Sequence, residues 1–311
     1  MRFDIITIFP GIFARILEHG ILRRAQAAGF VTVNLHDLRV FTHDRHNTVD
    51  DRPFGGGEGM VLKPEPLAEA LAFLGVGPKQ ASGADIPSVL RESSVEAEAA
   101  EVSPGSDPAA EAPAYQQAEA AGRPRVILLS AQGRTFSQAV ARELAALDRV
   151  VLICGRYEGV DERVNLLFCD QELSIGDYVL SGGELAAAVV VDAVARLVPG
   201  VLGNEASHQF ESFGAADAEI DADQEGVPRS QHGAGGLLDY PHYTRPAEFG
   251  GLRAPDVLLN GDHRQIRRWR REQQLRKTLA NRPDLLEDAT LSEDDVKMLE
   301  AIRQETGEGG Q

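Results

Sequence analysis

The sequence predicts an α/β protein, with helices over a mostly parallel sheet, followed by an all-helical C-terminal part. Three observations predict it. Apolar, β-branched runs alternate with helical patterns from Arg2 to Leu197, as in strands joined by crossover helices. Two glycine-bearing loops follow such runs directly and a third closes the sheet region, the arrangement of open sheets that bind ligands beyond the carboxyl ends of their strands. From about Pro255 onward only helical patterns remain.

In chain order, Arg2–Ile8 is apolar and β-branched and reads as a strand. Gly11–Ala28 reads as two short helical segments separated near Gly20, and Val31–Leu38 alternates as a strand. A long glycine-rich loop runs from Thr42 to Met60, and Pro64–Leu74 opens with proline as helices often do. Arg125–Leu129 is a buried strand, Ser137–Leu147 a helix and Val150–Ile153 a further strand. Asp161–Leu167 and the longer, apolar Leu185–Leu197 are helices. Near the end, Ser292 and Asp295 come close to a capping box for a helix over Glu293–Glu305.

Two stretches interrupt this pattern. Residues 79–123 are rich in Ala, Glu, Ser and Pro, with Tyr115 the lone aromatic, and cannot bury enough surface to offset ordering entropy. Asp217–Gly236 has the same character. The expected organisation is therefore a first domain over 1–240 with disordered insertions at about 79–123 and 214–235, a Pro- and Gly-bearing linker over 241–254, and a helical domain over 255–311. The length of 311 residues suits two domains, and a hydrophobic fraction of 43% supports a core in each.

Composition also excludes some functions. Cys154 and Cys169 are too few for a disulfide framework and form no C-x-x-C pair, which suits a reducing, cytoplasmic compartment. The run from Met1 to Phe13 carries Asp4 and no positive leader, unlike a signal peptide. The apolar stretch Leu185–Val198 is broken by Asp192 and Arg196 and is too short to span a bilayer. A formal charge of −17 argues against nucleic acid until its location is considered. Residues 79–123 carry eight acids and three bases, and 214–234 five acids and one base, whereas 263–282 carry eight Lys or Arg against Glu272 alone. That asymmetry permits a local RNA-binding face on an acidic protein.

The three loops are Ser130–Arg134, Cys154–Gly159 and Ser174–Glu184. Glycines there allow a backbone to approach a ligand closely, although plain turn chemistry would use them equally well. The chain has no G-x-x-x-x-G-K-[ST], and no G-x-G-x-x-G between a strand and a helix, so ordinary nucleotide and dinucleotide sites lose support. The cluster His43, Asp44, Arg45 and His46, with Asp50 and Asp51 nearby, lacks a third well-placed zinc ligand; it reads as an RNA-contacting loop or a hydrogen-bonded structural one. On a helix over Asp262–Ala280, Arg264, Arg267, Arg268 and Arg271 share one face, with Ile266, Trp269 and Gln273 opposite. Alone, that face is either a solvated stripe or a phosphate-binding one. Trp269 reads as core, and Cys154, with no base beside it, as a small apolar residue.

Several long motifs occur in order and at compatible spacing: Phe41–Gly57, Cys154–Arg163, Ser174–Glu184, Pro199–Gly203, Gly236–Pro246 and Asn260–Arg270. Together they resemble the bacterial tRNA (guanine-N1)-methyltransferase family TrmD. The resemblance covers the chain apart from the two insertions and the last few residues. It implies a SPOUT-type parallel sheet with a deep trefoil knot, which the pattern of elements alone would not propose, since knots are rare. It further implies an obligate homodimer with its active site at the subunit interface, dependence on magnesium, and methylation of the guanosine immediately 3′ of the anticodon when another guanosine precedes it.

Carried over by position, the resemblance gives an S-adenosylmethionine site at Leu129, Ser130 and Gln132, at Gly155 and Tyr157, at Ile175, Gly176, Asp177, Tyr178, Val179 and Leu180, and at Gly182 and Gly183. Ala131 and Ala186 stand where many relatives have proline, a departure that loosens the loops without removing their backbone groups. The family's proposed general base is an Asp, and that position is Glu211 here; its proposed charge stabiliser falls on Arg196. Arg156 and Glu158 are expected to orient the base or engage magnesium. Arg264, Arg267, Arg268 and Arg271, with Asp50 and Arg52, are expected to contact tRNA. Two rival classes are a knotted methyltransferase for rRNA or another tRNA position, and a non-catalytic RNA-binding factor. Glu158, Arg196 and Glu211 together favour an enzyme.

Overall fold

The computed structural model describes residues 1–79, 123–203, 211–214, 235–287 and 289–307. The two acidic insertions expected from composition fall almost wholly outside the described residues. The chain divides into two compact units, Met1–Val201 and Leu202–Gln311.

In the first unit, five strands of the described residues form one parallel sheet. They are β1 (Arg2–Thr7), β2 (Thr32–Asp37), β5 (Arg125–Thr135), β6 (Arg149–Cys154) and β7 (Gln171–Ser174), in the order β2-β1-β6-β5-β7. A two-residue pair, β3 (Asp50–Asp51) with β4 (Val61–Leu62), closes the base of the glycine-rich loop. The helices are α1 (Ala14–Leu17), α2 (Gly20–Ala27), α3 (Pro64–Phe73), α4 (Gln138–Ala145), α5 (Glu162–Phe168) and α6 (Glu184–Ala195).

The central strands are apolar on both faces because helices cover both. Phe3, Ile5, Ile127 and Leu152 face one layer with α2, α4 and α6, where Val190 and Val194 are buried. Ile6, Val126, Val151 and Ile153 face the other, against Leu67 and Leu71 of α3 and Phe168 of α5. Asp4 interrupts this pattern in β1 with no exposed surface. Burial alone would raise its pKa; hydrogen bonds from His36, Arg2, Asn34 and Arg149 reverse that and hold the carboxyl far below the usual range. Among the described residues no helix is long and apolar enough to cross a membrane.

Two features depart from the sequence reading. Strand β7 was not expected, because Gln171–Ser174 carries one strongly apolar residue, Leu173, which its partner β5 buries. Strand β5 continues past the expected end at Leu129 to Thr135, and its register shifts so that Leu129 and Arg134 both face Leu173. The segment read as a loop, Ser130–Arg134, thus lies within a strand and holds a bulge, a device that re-aims side chains near binding sites.

The second unit holds α7 (His263–Asn281), α8 (Glu293–Thr306) and a hairpin of β8 (Glu248–Phe249) and β9 (Leu252–Arg253). Asp262 caps α7 by accepting from the Arg264 and Gln265 N–H groups. A full capping box forms at α8: Ser292 Oγ accepts from the Asp295 N–H at 3.1 Å, and Asp295 Oδ2 accepts from the Ser292 N–H at 3.0 Å. Leu237, Leu275 and Ile302 make the small core. The sequence reading set a linker at 241–254, yet the segments on its N-terminal side cluster with the helices. Leu238 donates its N–H to Thr278 Oγ1 at 3.0 Å, and Phe213 donates its N–H to the Leu237 carbonyl at 2.9 Å.

Candidate active site

A pocket opens between the β5 bulge, the carboxyl end of β7 and the start of α6. The β5 bulge supplies Leu129, Ser130 and Ala131; the end of β7 supplies Leu173 and Ser174; the following loop supplies Ile175, Gly176, Tyr178, Leu180, Gly182 and Gly183; Ala186 comes from the first turn of α6. Of the residues expected to hold a cofactor, Leu129, Ser130, Ile175, Gly176, Tyr178, Leu180, Gly182 and Gly183 line this pocket, while Gln132, Gly155, Tyr157, Asp177 and Val179 do not. Gly155 supports it from behind, its carbonyl accepting the Gly183 N–H at 2.8 Å. Gln132, Tyr157, Asp177 and Val179 are exposed, Val179 by 87%.

Sequence reasoning missed Ala131, Leu173, Ser174 and Ala186. Ser174 stood inside a quoted motif, and its role is local: its hydroxyl donates to the Gly176 carbonyl at 3.0 Å and accepts the Gly176 N–H at 3.2 Å, folding the loop's first turn. Ala131 and Ala186 stood out in the sequence only as positions where many relatives have proline.

Close backbone approach builds the pocket. A Cβ on Gly183 would lie 2.8 Å from the Cys154 Cα, and one on Gly133 would lie 2.5 Å from the Leu173 nitrogen. Only glycine lets α6 begin where β6 ends. Apolar side chains and glycine backbone together suit a purine ring, whose edge is read by main-chain donors and acceptors.

Arg156, expected to orient the base or engage magnesium, donates Nε to Glu184 at 3.1 Å and Nη1 to the Ser181 carbonyl at 3.0 Å, and its guanidinium lies 4.5 Å from the centre of the Phe9 ring. The side chain is 17% exposed. Glu158 is exposed; it packs against Gly59, and its N–H donates to the Met60 carbonyl at 3.0 Å. Cys154 is buried, and burial with the nearby Glu184 charge pushes its thiol well up, which suits an apolar filler and not a nucleophile. Cys169 is pushed up to about 12, chiefly by burial.

Arg196 is half-buried at the C-terminus of α6, in the first unit. Glu211 is half-buried in the second, where its carbonyl accepts the Gly214 N–H at 3.0 Å. Its neighbour Ser212 accepts the Asp239 N–H at 2.9 Å, tying the Glu211 segment to a second carboxylate.

The remaining expected contacts divide. Asp50 sits in β3 and Arg52 is exposed beyond it. Asp44 accepts from the His46 and Thr48 N–H groups and the Thr48 hydroxyl, and these bonds hold its carboxyl below the usual range. His43 meets Glu69 at 2.8 Å. On α7, Arg264 and Arg268 are exposed and Arg267 is half-buried. Arg271, expected on the same stripe, donates Nε and Nη2 to Asp295 at 2.7 and 2.9 Å, and its side chain is 13% exposed. Trp269 is half-buried beside Tyr243, with ring centres 6.2 Å apart.

Comparison with known proteins adds to this geometry. A family model described as tRNA (Guanine-1)-methyltransferase TrmD matches residues 1–84 and 106–288. The chain is 52% identical over 303 residues to a tRNA (guanine-N(1)-)-methyltransferase of Koribacter versatilis (strain Ellin345), covering 97% of this chain and 98% of the relative. It is 45% identical over 310 residues to one of Geotalea uraniireducens (strain Rf4), covering 100% of each. To one of Chloroflexus aggregans (strain MD-66 / DSM 9485) it is 46% identical over 286 residues, covering 92% of this chain and 88% of the relative.

Proposed function

Because the chain belongs to the tRNA (guanine-1)-methyltransferase TrmD family, it is a tRNA guanine-N1 methyltransferase, and we propose that it takes its methyl group from S-adenosylmethionine and acts on the guanosine immediately 3′ of the anticodon. The observation that carries the donor assignment is the pocket between the β5 bulge, the end of β7 and the start of α6, formed largely by the residues that the family resemblance assigns to that cofactor. Its apolar walls and glycine backbone fit an adenine ring. Bound there, the cofactor supplies an electrophilic methyl on a sulfonium.

The chain's own residues have two tasks. Guanine N1 carries a proton and is a poor nucleophile until that proton leaves. Glu211 accepts it, and Arg196 stabilises the negative charge that moves onto O6. Orienting the acceptor toward the methyl contributes as well, because a fixed near-attack geometry removes the entropy of encounter.

The same reading includes a trefoil knot, a homodimer, magnesium and a cytoplasmic location. The closeness of the loops after β6 and β7, joined by the Arg156–Gly182 bridge and the Gly183–Gly155 hydrogen bond, supports the knot. Leu185 and Val189, one turn apart on α6 and 53% and 46% exposed, support a dimer that buries that apolar face. Magnesium rests on the resemblance alone: among the described residues no group of three or more His, Cys, Asp or Glu converges on a metal position, and no step above runs through it. Exposed Arg264 and Arg268 on α7 support phosphate contacts.

The test is radiolabelled methyl transfer to transcripts that differ only at the base after the anticodon. Labelling should vanish when that guanosine is replaced. Undiminished labelling would remove the position assignment.

A further inference from the structure

Glu184 opens α6 with its side chain 1% exposed. Two segments donate to its carboxylate. Thr7, at the carboxyl end of β1, donates its hydroxyl to Oε1 at 2.8 Å. Arg156, in the loop after β6, donates Nε to Oε2 at 3.1 Å and to Oε1 at 3.3 Å. The same guanidinium reaches into the loop after β7 through Nη1, which donates to the Ser181 carbonyl at 3.0 Å. Phe9 covers the guanidinium, and its N–H donates to Thr7 Oγ1 at 3.0 Å.

This pair lies directly under the donor pocket. A Cβ on Gly182, a pocket-lining residue, would collide with the Arg156 side chain and would lie 2.5 Å from Glu184 Oε2. A carboxylate so deeply buried is tolerated only when paired and hydrogen-bonded, and a pair of this kind fixes the groups attached to it. The helix N-terminus adds a favourable field for a negative charge.

We infer that Glu184 is a positioning residue for the donor site. It holds Arg156, and through Arg156 it holds Ser181 and Gly182, at the spacing the pocket requires. It acts beneath the pocket and touches neither substrate. The inference rests on the reading that this pocket takes S-adenosylmethionine.

The test is calorimetric titration of S-adenosylmethionine into the full chain, with tRNA binding and the thermal midpoint measured on the same samples. Absence of donor binding to the unmodified protein would remove the pocket reading itself, before any variant is compared. Given that binding, Glu184→Gln and Arg156→Met should each raise the donor Kd by roughly tenfold, the scale of a close coupled pair. The double variant should be no worse than the poorer single one, because both act through one pair. The tRNA Kd should stay within about twofold, a split that general loosening of the fold would not produce. Unchanged donor Kd in a folded Glu184→Gln protein, additive losses in the double variant, or a parallel loss of tRNA binding would overturn the inference. Should Glu184→Gln fail to fold, Arg156→Met carries the same test, and normal donor affinity there overturns it.

Discussion

Two glycine-rich loops of the first unit differ in what surrounds them. In the loop after β7, a Cβ on Gly176 would lie 2.6 Å from the Tyr178 ring and one on Gly183 would lie 2.8 Å from the Cys154 Cα. In the loop between β3 and β4, a Cβ on Gly55 or on Gly56 would meet no atom within 4 Å, and their φ values are +86° and +79°. Beside them Phe54 is 99% exposed. The first loop is a finished surface, with its glycines required by the side chains and backbone packed against them. In the second, Gly55 and Gly56 are required only by their own conformation. A preformed cleft suits a small cofactor that would otherwise lose affinity to ordering costs. An open loop suits a large ligand with a surface of its own.

The largest expected effect falls on neither loop. Glu211→Gln should slow single-turnover methyl transfer by about a hundredfold to ten-thousandfold, the usual scale of general-base catalysis, while both substrates still bind. Glu211→Asp should be milder, since it keeps the acid–base group and changes its reach. A near-normal single-turnover rate for Glu211→Gln would move the role to Asp177 or to Asp239, the latter tied to the same segment.

Gly183→Ala comes next and tests the crowded loop. The added methyl forces α6 away from β6, so stability should fall by about 1–3 kcal/mol, and titration should show weakened donor binding. Normal donor affinity in that variant would mean the loop is less closely fitted than its spacing implies. The triple change of Arg264, Arg267 and Arg268 to alanine should leave donor binding alone and flatten the slope of log tRNA affinity against log salt by roughly one or two units. An unchanged slope would make that face a solvated stripe. Arg271 is left out of this set because its pair with Asp295 belongs to the fold. Gly55→Ala should have the smallest effect. Its left-handed backbone costs about 1–2 kcal/mol locally with a Cβ present, with no change in donor Kd by titration. A large loss of donor affinity there would erase the distinction between the loops.

The strands β1 and β6 were readable because largely apolar, β-branched runs mark a sheet covered on both faces, and β2 because it alternates. The pocket was readable through its motifs, since glycines and their spacing survive in the linear text. What escaped depends on distant partners. Strand β7 owes its existence to β5, and Glu184 looked like the last letter of a loop motif until Thr7, 177 residues away, closed over it. The arginine stripe was placed correctly around the helix. At 100° per residue, Arg264 and Arg268 lie within about 20° of the direction of Leu275, so the stripe continues the face that α7 turns to its own core. Periodicity cannot say where along such a face burial begins. Asp295, from the α8 capping box, decides it at Arg271.

The central claim is methyl transfer to guanine N1 in tRNA, and identification of the modified nucleoside tests it most directly. Unmodified tRNA transcript is incubated with the full chain and labelled S-adenosylmethionine, then digested to nucleosides and separated by mass and retention. The account predicts that the label migrates as N1-methylguanosine, one per transcript, and disappears when the guanosine after the anticodon is replaced. Label on a ribose hydroxyl, on another base atom, or on another base would contradict it.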